Sequence, residues 1–416
     1  MSPFELVLIG LALAALLGVI FEEITHVNKA KVTLFFGTLA WILLFVSSDS
    51  EPETARISEG LAESVAEIAG LWLFLVAAMT FVAYLNKKGM IENVIYLALP
   101  RQVSERSLLL LTGLFCFIFS SLADNITATL VSATLILSLD LDLNKRIRFI
   151  TLVIFAVNSG GAALITGDVT TLMIFLAGKV EILTLLTLAL PAFGGVLVLA
   201  VLLSRGMSGS VTLERQVKPV RRVDVVISAL FLATILATII GNVAFGVPPV
   251  LMFLFGLSMM FLVSRFMSND NDLDPILEYV RAIEFETLLF FLGILLLVGM
   301  LKEIHALESL VTIYEVMPPL AANYMMGIFS AFIDNVPLTA ALLKSGIEMS
   351  AAEWMALTYA VGVGGSLLVI GSAAGIVAMS RVQGLTFVSY LRYFGFLFIA
   401  YTLGYAGVIL LGRFVN

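Results

Sequence analysis

The chain has 416 residues, of which 60% are hydrophobic and 13% charged, and its net charge is −7. A soluble domain runs nearer half apolar and a quarter charged, so this composition argues against a single soluble core. The lack of a long basic tract argues against nucleic acid as a partner, and the single cysteine, Cys116, excludes an intramolecular disulfide.

The N-terminus reads Met-Ser-Pro-Phe-Glu, without the basic n-region of a signal peptide, so Leu6–Ile20 is expected to be a retained first span. Apolar runs then predict spans near 4–21, 32–46, 68–86, 149–177, 182–204, 223–244, 250–265, 285–301, 354–380 and 386–412. Two further apolar segments, 107–139 and 309–343, are interrupted at Ala123-Asp124-Asn125 and Ile333-Asp334-Asn335. Each arm is about 14–18 residues, too short to cross a bilayer alone at about 1.5 Å per residue. Each segment is therefore expected to be a re-entrant helical hairpin. The expected fold class is an all-α membrane protein of about ten transmembrane helices plus these two hairpins.

Loop charge orients the chain. Basic residues cluster at Lys29/Lys31, at Lys87/Lys88/Arg101/Arg106, at Lys145/Arg146/Arg148 and along Arg205–Arg222, whereas 47–66 is acidic. Basic loops stay in the cytoplasm, which puts 47–66 outside as a loop. The hairpin 107–139 then leaves and re-enters the cytoplasm, and both termini lie outside. The acidic stretch 268–280 is uninformative.

The two halves repeat. Phe119-Ser120-x3-Asp124-Asn125-x3-Thr129 matches Phe329-Ser330-x3-Asp334-Asn335-x3-Thr339. Likewise Gly160-Gly161-x2-Leu164-x2-Gly167 matches Gly364-Gly365-x2-Leu368-x2-Gly371. Five crossings precede the second copy, so it is expected to be inverted, as in secondary transporters whose site lies where the broken elements meet. The expected units are a first repeat over 1–205, a cytoplasmic linker over 206–222 and a second repeat over 223–416.

The chemistry concentrates at the breaks. An ionised carboxylate in lipid costs several kcal/mol unless it pairs, protonates or faces a cavity, and irregular backbone at that depth must line a cavity or be buried in protein. Asp124-Asn125 and Asp334-Asn335 bring hard oxygens together with freed carbonyls, a set suited to a hard cation such as Na+. The bland alternative is that each Asp caps a short helix. Asn158-Ser159-Gly160-Gly161 and Gly362-Val363-Gly364-Gly365 read either as discontinuous helices that donate carbonyls or as close helix packing. Asp168 has no acidic counterpart, since Ser372 stands in its place. A proton carrier, a second ion ligand and an interfacial cap near the outer surface all remain open for it.

Glu67, Glu284 and Glu286 are expected at the water interface, His305 in a loop, and Trp41, Trp72 and Trp354 as interfacial anchors. His26 titrates in the range of a pH sensor, though a solvated loop residue is the simpler reading. No Walker motif is present, so ATP does not drive this chain by itself and no ATPase subunit is expected.

At these residues the chain resembles the NhaD-type sodium/proton antiporters of the ion transporter superfamily. The segments that carry the resemblance are Ser121 through Thr129, Asn158-Ser159-Gly160-Gly161, Thr166-Gly167-Asp168-Val169-Thr170-Thr171, and Phe332 through Ala340. The resemblance implies Na+ or Li+ export against H+ entry across a bacterial inner membrane, without a cofactor. It also implies a homodimer in which a transport domain moves against a scaffold like an elevator. By analogy with related dicarboxylate symporters, one ion site would use Ser120 or Ser121, Asn125, Thr127 and the Gly160 and Gly161 carbonyls. The other would use Ser330, Asn335 and the Gly364 and Gly365 carbonyls, with oxygens from Ser366 and Ser372 close by. An Asp before each Asn departs from the symporter pattern, and Na+ is expected at Asp124, Asn125, Asp334 and Asn335. The rival reading on the same scaffold is a Na+-coupled dicarboxylate or oxyanion symporter, which two tip carboxylates disfavour. A broken Gly-x-Gly-Asp motif weighs against an intramembrane hydrolase, and the lone cysteine weighs against an arsenite permease.

Overall fold

A computed structural model describes residues 3–25, 27–48, 50–98, 102–139, 141–212, 218–267 and 277–414. His26 lies outside these residues, as does most of the acidic stretch 268–280. Among the described residues, nine helices are long and apolar enough to cross a membrane. The chain is a multi-pass, predominantly helical membrane protein.

The first half carries α1 (Pro3–Ile20), α2 (Lys29–Val46), α3 (Glu51–Lys87), α4 (Glu105–Leu122), α5 (Asn125–Leu137), α6 (Leu143–Gly161), α7 (Val169–Leu176) and α8 (Ala189–Leu203). The second carries α9 (Arg222–Phe245), α10 (Pro249–Met267), α11 (Phe285–Glu303), α12 (Pro319–Ser330), α13 (Asn335–Lys344), α14 (Ala351–Gly364), α15 (Ala373–Arg381) and α16 (Phe394–Gly412). Two strands, β1 (Gln102–Ser104) and β2 (Ser210–Thr212), pair antiparallel with Val103 opposite Val211. This ribbon departs from a purely helical expectation and ties the segment before α4 to the segment after α8.

Four of these helices begin at a break inside an apolar run, and each starts with a short oxygen-bearing side chain. Asp124 accepts the Thr127 N–H, Asp168 the Thr170 N–H, Asp334 the Val336 N–H and Ser372 the Gly375 N–H. A helix start leaves N–H donors without partners, and these residues supply the acceptors that water cannot supply in lipid. The runs 149–177 and 354–380, expected as single spans, are accordingly split into α6 with α7 and α14 with α15.

Other expectations are corrected. The acidic stretch 47–66 is not a loop: α3 starts at Glu51 and runs for 37 residues. Glu51 and Glu53 sit in its first turn, where the helix dipole favours them. Ion pairs from Arg56 to Glu303 and from Lys302 to Glu63 dock this acidic half against the end of α11. Trp41 and Trp354 are buried in helix packing, and the Trp41 indole donates to the Leu296 carbonyl at 2.8 Å. Apart from these corrections, Glu67 stays half exposed and pairs with Lys344 at the end of α13.

Packing follows small residues. α2 and α11 lie side by side in the same direction, Thr33 against Phe290 and Trp41 against Leu296, with Gly37 and Gly293 where the backbones approach. α4 packs on α6, and α12 packs on α14 in the same way. A methyl group on Gly160 would collide with the Phe117 carbonyl, and one on Gly364 with the Gly327 carbonyl. Only glycine permits these two backbones to touch. Contacts also cross between the halves, α5 against α15 and α7 against α13.

Candidate functional site

The cross-contacts bring the breaks together. Asp168, 6% exposed at the start of α7, is the meeting point. Its Oδ2 accepts from Asn125 Nδ2 at 3.3 Å and from Asn335 Nδ2 at 3.0 Å. One buried carboxylate oxygen therefore joins the first residue of α5 to the first residue of α13. Asp168 Oδ1 accepts the Thr170 N–H at 3.0 Å. The residue is thus a helix cap, but one buried at the junction of both halves rather than at an outer surface.

The neighbouring groups tie the broken segments to the helices beside them. Ser120 donates to Asn125 Oδ1 at 2.8 Å, and Ser121 donates to the Phe117 and Gly160 carbonyls. Thr166 donates to the Ser121 carbonyl at 2.6 Å. Ser330 donates to the Val361 carbonyl at 2.9 Å. A methyl on Gly161 would meet Asn125 Oδ1, and one on Gly365 would meet the Gly371 carbonyl, so both glycines line the broken segments. Asn158 donates to Ser372 Oγ at 2.9 Å, linking α6 to the cap of α15. Ser366 donates to its own Val363 carbonyl. Asn158 Oδ1, Ser159 Oγ and Thr170 Oγ1 are buried and without a hydrogen bond. Such oxygens remain available as donors to a cation.

The two tip carboxylates are placed differently from each other. Asp124 spends both oxygens on Thr127, accepting its N–H at 2.9 Å and its hydroxyl at 2.8 Å. It lines a cavity of about 420 Å³ together with Ala83, Asn86, Lys87, Lys218 and Glu284. Asp334 accepts the Val336 N–H with one oxygen and pairs with Lys29 Nζ at 3.1 Å through the other. In the sequence Lys29 marks only loop orientation, because nothing local signals a partner 305 residues away. Glu284 precedes α11, and burial together with the Asp124 carboxylate pushes it up to about 7. Glu286 accepts from Asn28 at 2.6 Å.

Four helix starts that converge bring roughly half a positive charge each, and three of them carry a carboxylate. The arrangement favours a small cation held by oxygens from several short helices. Among the described residues no three of His, Cys, Asp and Glu stand close enough to bind one metal ion. The donor set is dominated instead by amide, hydroxyl and carbonyl oxygens, which suit hard monovalent ions.

Comparison with known proteins agrees with this picture. Residues 5–364 match the model of a family described as citrate transporter. The Na(+)/H(+) antiporter NhaD of Alkalimonas amylolytica is 31% identical over 434 residues, covering 95% of this chain and 88% of that protein. That of Vibrio cholerae is 30% identical, covering 90% and 85%. Sodium/proton antiporter 1 of Arabidopsis thaliana is 29% identical, covering 94% and 70%. The chain belongs to the family of this model, together with the NhaD-type sodium/proton antiporters.

Proposed function

We propose that this protein exchanges Na+ or Li+ for H+ across the bacterial inner membrane, by competition of the two ions for one buried site. The observation that carries the reading is Asp168 accepting hydrogen bonds from both tip asparagines. Binding there draws on both halves at once, so an ion that enters changes the contacts of both broken elements. Asp124, Asp168 and Asp334 hold Na+ when ionised and H+ when not. A cation nearby favours the charged form and desolvation the neutral one, and coupled carboxylates titrate as a set. Asn125, Asn158, Asn335, Ser120, Ser121, Thr127, Ser330 and the carbonyls around Gly160, Gly161, Gly364 and Gly365 complete the oxygen supply.

The mechanism proposed is an elevator. The segments α4–α5 and α12–α13 act as re-entrant hairpins of two inverted repeats, over 1–205 and 223–416. They move with α6–α7 and α14–α15 against a scaffold of α1–α3 and α9–α11, within a homodimer. The cavity beside Asp124 opens next to Lys87 and Lys218, residues of the basic loops, which fits a site facing the cytoplasm. The family model is described by citrate, and a citrate carrier would need cationic groups at the site. The charged group at the asparagine junction is instead the Asp168 carboxylate, and Lys29 at the second tip is already paired with Asp334, which favours the cation exchanger.

The test is reconstitution into proteoliposomes with an acidic interior and a pH dye. Adding Na+ or Li+ outside should alkalinise the lumen. Asp124→Asn and Asp334→Asn should insert and abolish the signal. Near-normal exchange by both variants would refute the assignment, and Na+-dependent uptake of labelled citrate or succinate would establish the symporter instead.

A further inference from the structure

The second tip carries a feature that the first does not. Lys29 Nζ lies 3.1 Å from Asp334 Oδ2, with the two side chains 20% and 12% exposed. Among the described residues no ion pair reaches Asp124. The ammonium also lies 4.4 Å from the centre of the Phe290 ring on α11. Lys29 is the first residue of α2, the end of a helix where a cation is disfavoured by the dipole. Its position is nevertheless fixed, since its N–H donates to Glu22 at 3.0 Å, Asn28 caps the helix through the Ala30 N–H, and Asn28 is held by Glu286. A cavity of about 380 Å³, lined by Glu22, Asn28, Lys29, Ile126 and Val377, reaches the lysine. A lysine built into an unfavourable helix position, beside a cavity and against a tip carboxylate, has a task there.

We propose that Lys29 is a tethered counter-cation: its ammonium neutralises Asp334 while no ion is bound, and Na+ displaces it. The inference rests on the reading of the chain as a Na+/H+ exchanger. A half-buried carboxylate left alone is costly, whereas exchanging one cation for another keeps the charge balanced. An ammonium and a sodium ion each carry one positive charge, and the carboxylate accommodates either. Lys29 belongs to α2 and Asp334 to the α12–α13 break, so the pair also holds these elements together until an ion arrives. Displacement by Na+ frees the hairpin to move and leaves the ammonium in the water of the cavity. Lys29 thus acts through Asp334, as a positioning residue that sets apparent Na+ affinity.

The test combines variants with a measurement on the unaltered protein. Equilibrium binding of radioactive Na+ to purified, monodisperse protein is measured at alkaline pH, where protons compete least, and exchange is followed in vesicles. Lys29→Met should bind Na+ about two- to fivefold more tightly, the size expected from removing a partly exposed ion-pair competitor, while maximal turnover falls. Lys29→Arg should restore the affinity of the unaltered protein, because a cation is restored. A purely structural role would lower abundance or turnover without tightening Na+ binding. In the unaltered protein, Na+ should speed acylation of Lys29 by an amine reagent, read by mass spectrometry. Unchanged or weakened Na+ binding in a monodisperse Lys29→Met, or Lys29 acylation indifferent to Na+, would overturn the inference while wild-type exchange still stands. Absence of Na+ binding to the unaltered protein would remove the exchanger reading as well.

Discussion

Asp168 shows how a single side chain gains its role from what folds against it. As a local motif, Asp before Val-Thr-Thr caps a helix and nothing more. The packing of α7 against α13 and of α5 near α15 brings two asparagines onto its second oxygen. The cap was legible in the sequence; the junction was not, because the partners lie 43 and 167 residues away and only tertiary packing joins them. The same holds for Lys29. Glu284 yields a prediction at this scale. With its carboxyl near 7, it is neutral at lower pH and charged at higher pH. A negative charge therefore appears at the cavity beside Asp124 as pH rises through about 7. Apparent Na+ affinity should rise over that window, and Glu284→Gln should remove this component of the rise. Identical affinity profiles for variant and wild type between mildly acidic and mildly alkaline pH would show that Glu284 takes no part.

At the scale of elements, the breaks are the designed features. Asp-Asn following an apolar arm announced two of the four, at α5 and α13, and the matched glycine pairs marked the segments that cradle them. The helix boundaries were less legible. The stretch 47–66 contains Glu, Ala, Ser and Leu, and its charge reads as a loop, yet most of these residues favour helix and the stretch extends α3. Its charges Arg56 and Glu63 find partners in Glu303 and Lys302 that a linear reading does not supply. Tryptophans near span ends suggest anchors, and two of the three are packed against neighbouring helices. Gly160→Ala tests the cradle. The added methyl strikes backbone at Phe117, which cannot rotate away, and overpacking of this kind costs about 1–3 kcal/mol. The thermal midpoint in detergent should fall and exchange should be lost, with Gly364→Ala behaving alike at its own contact. By contrast Gly70→Ala, where a methyl meets open space, should leave both unchanged. Equal effects at all three positions would mean that the close approach is unimportant.

At the scale of the whole molecule, composition alone indicated the membrane environment, and the internal match of motifs drew attention to the two breaks. Neither indicates on which side of the membrane the site opens. Asp124 shares a cavity with the last turns of α3 and with the segment before α11, and Asp334 lies against the first residue of α2. Both tips therefore stand level with the basic ends of the helices proposed as scaffold. A cysteine at Ala83, introduced in a Cys116→Ser background, should react with an impermeant maleimide added from the cytoplasmic side of oriented vesicles. The opposite side should give slow reaction, and an imposed ion gradient that turns the site outward should slow the cytoplasmic reaction too. Equal labelling from both sides would contradict alternating access.

The central claim is that one set of buried carboxylates holds either a sodium ion or a proton. The most direct measurement is proton release from purified protein in weakly buffered detergent solution when Na+ is added. The account predicts release that saturates with Na+, is reproduced by Li+, and disappears in Asp168→Asn while the fold persists. Na+ binding without proton release, or release undiminished in Asp168→Asn, would contradict it.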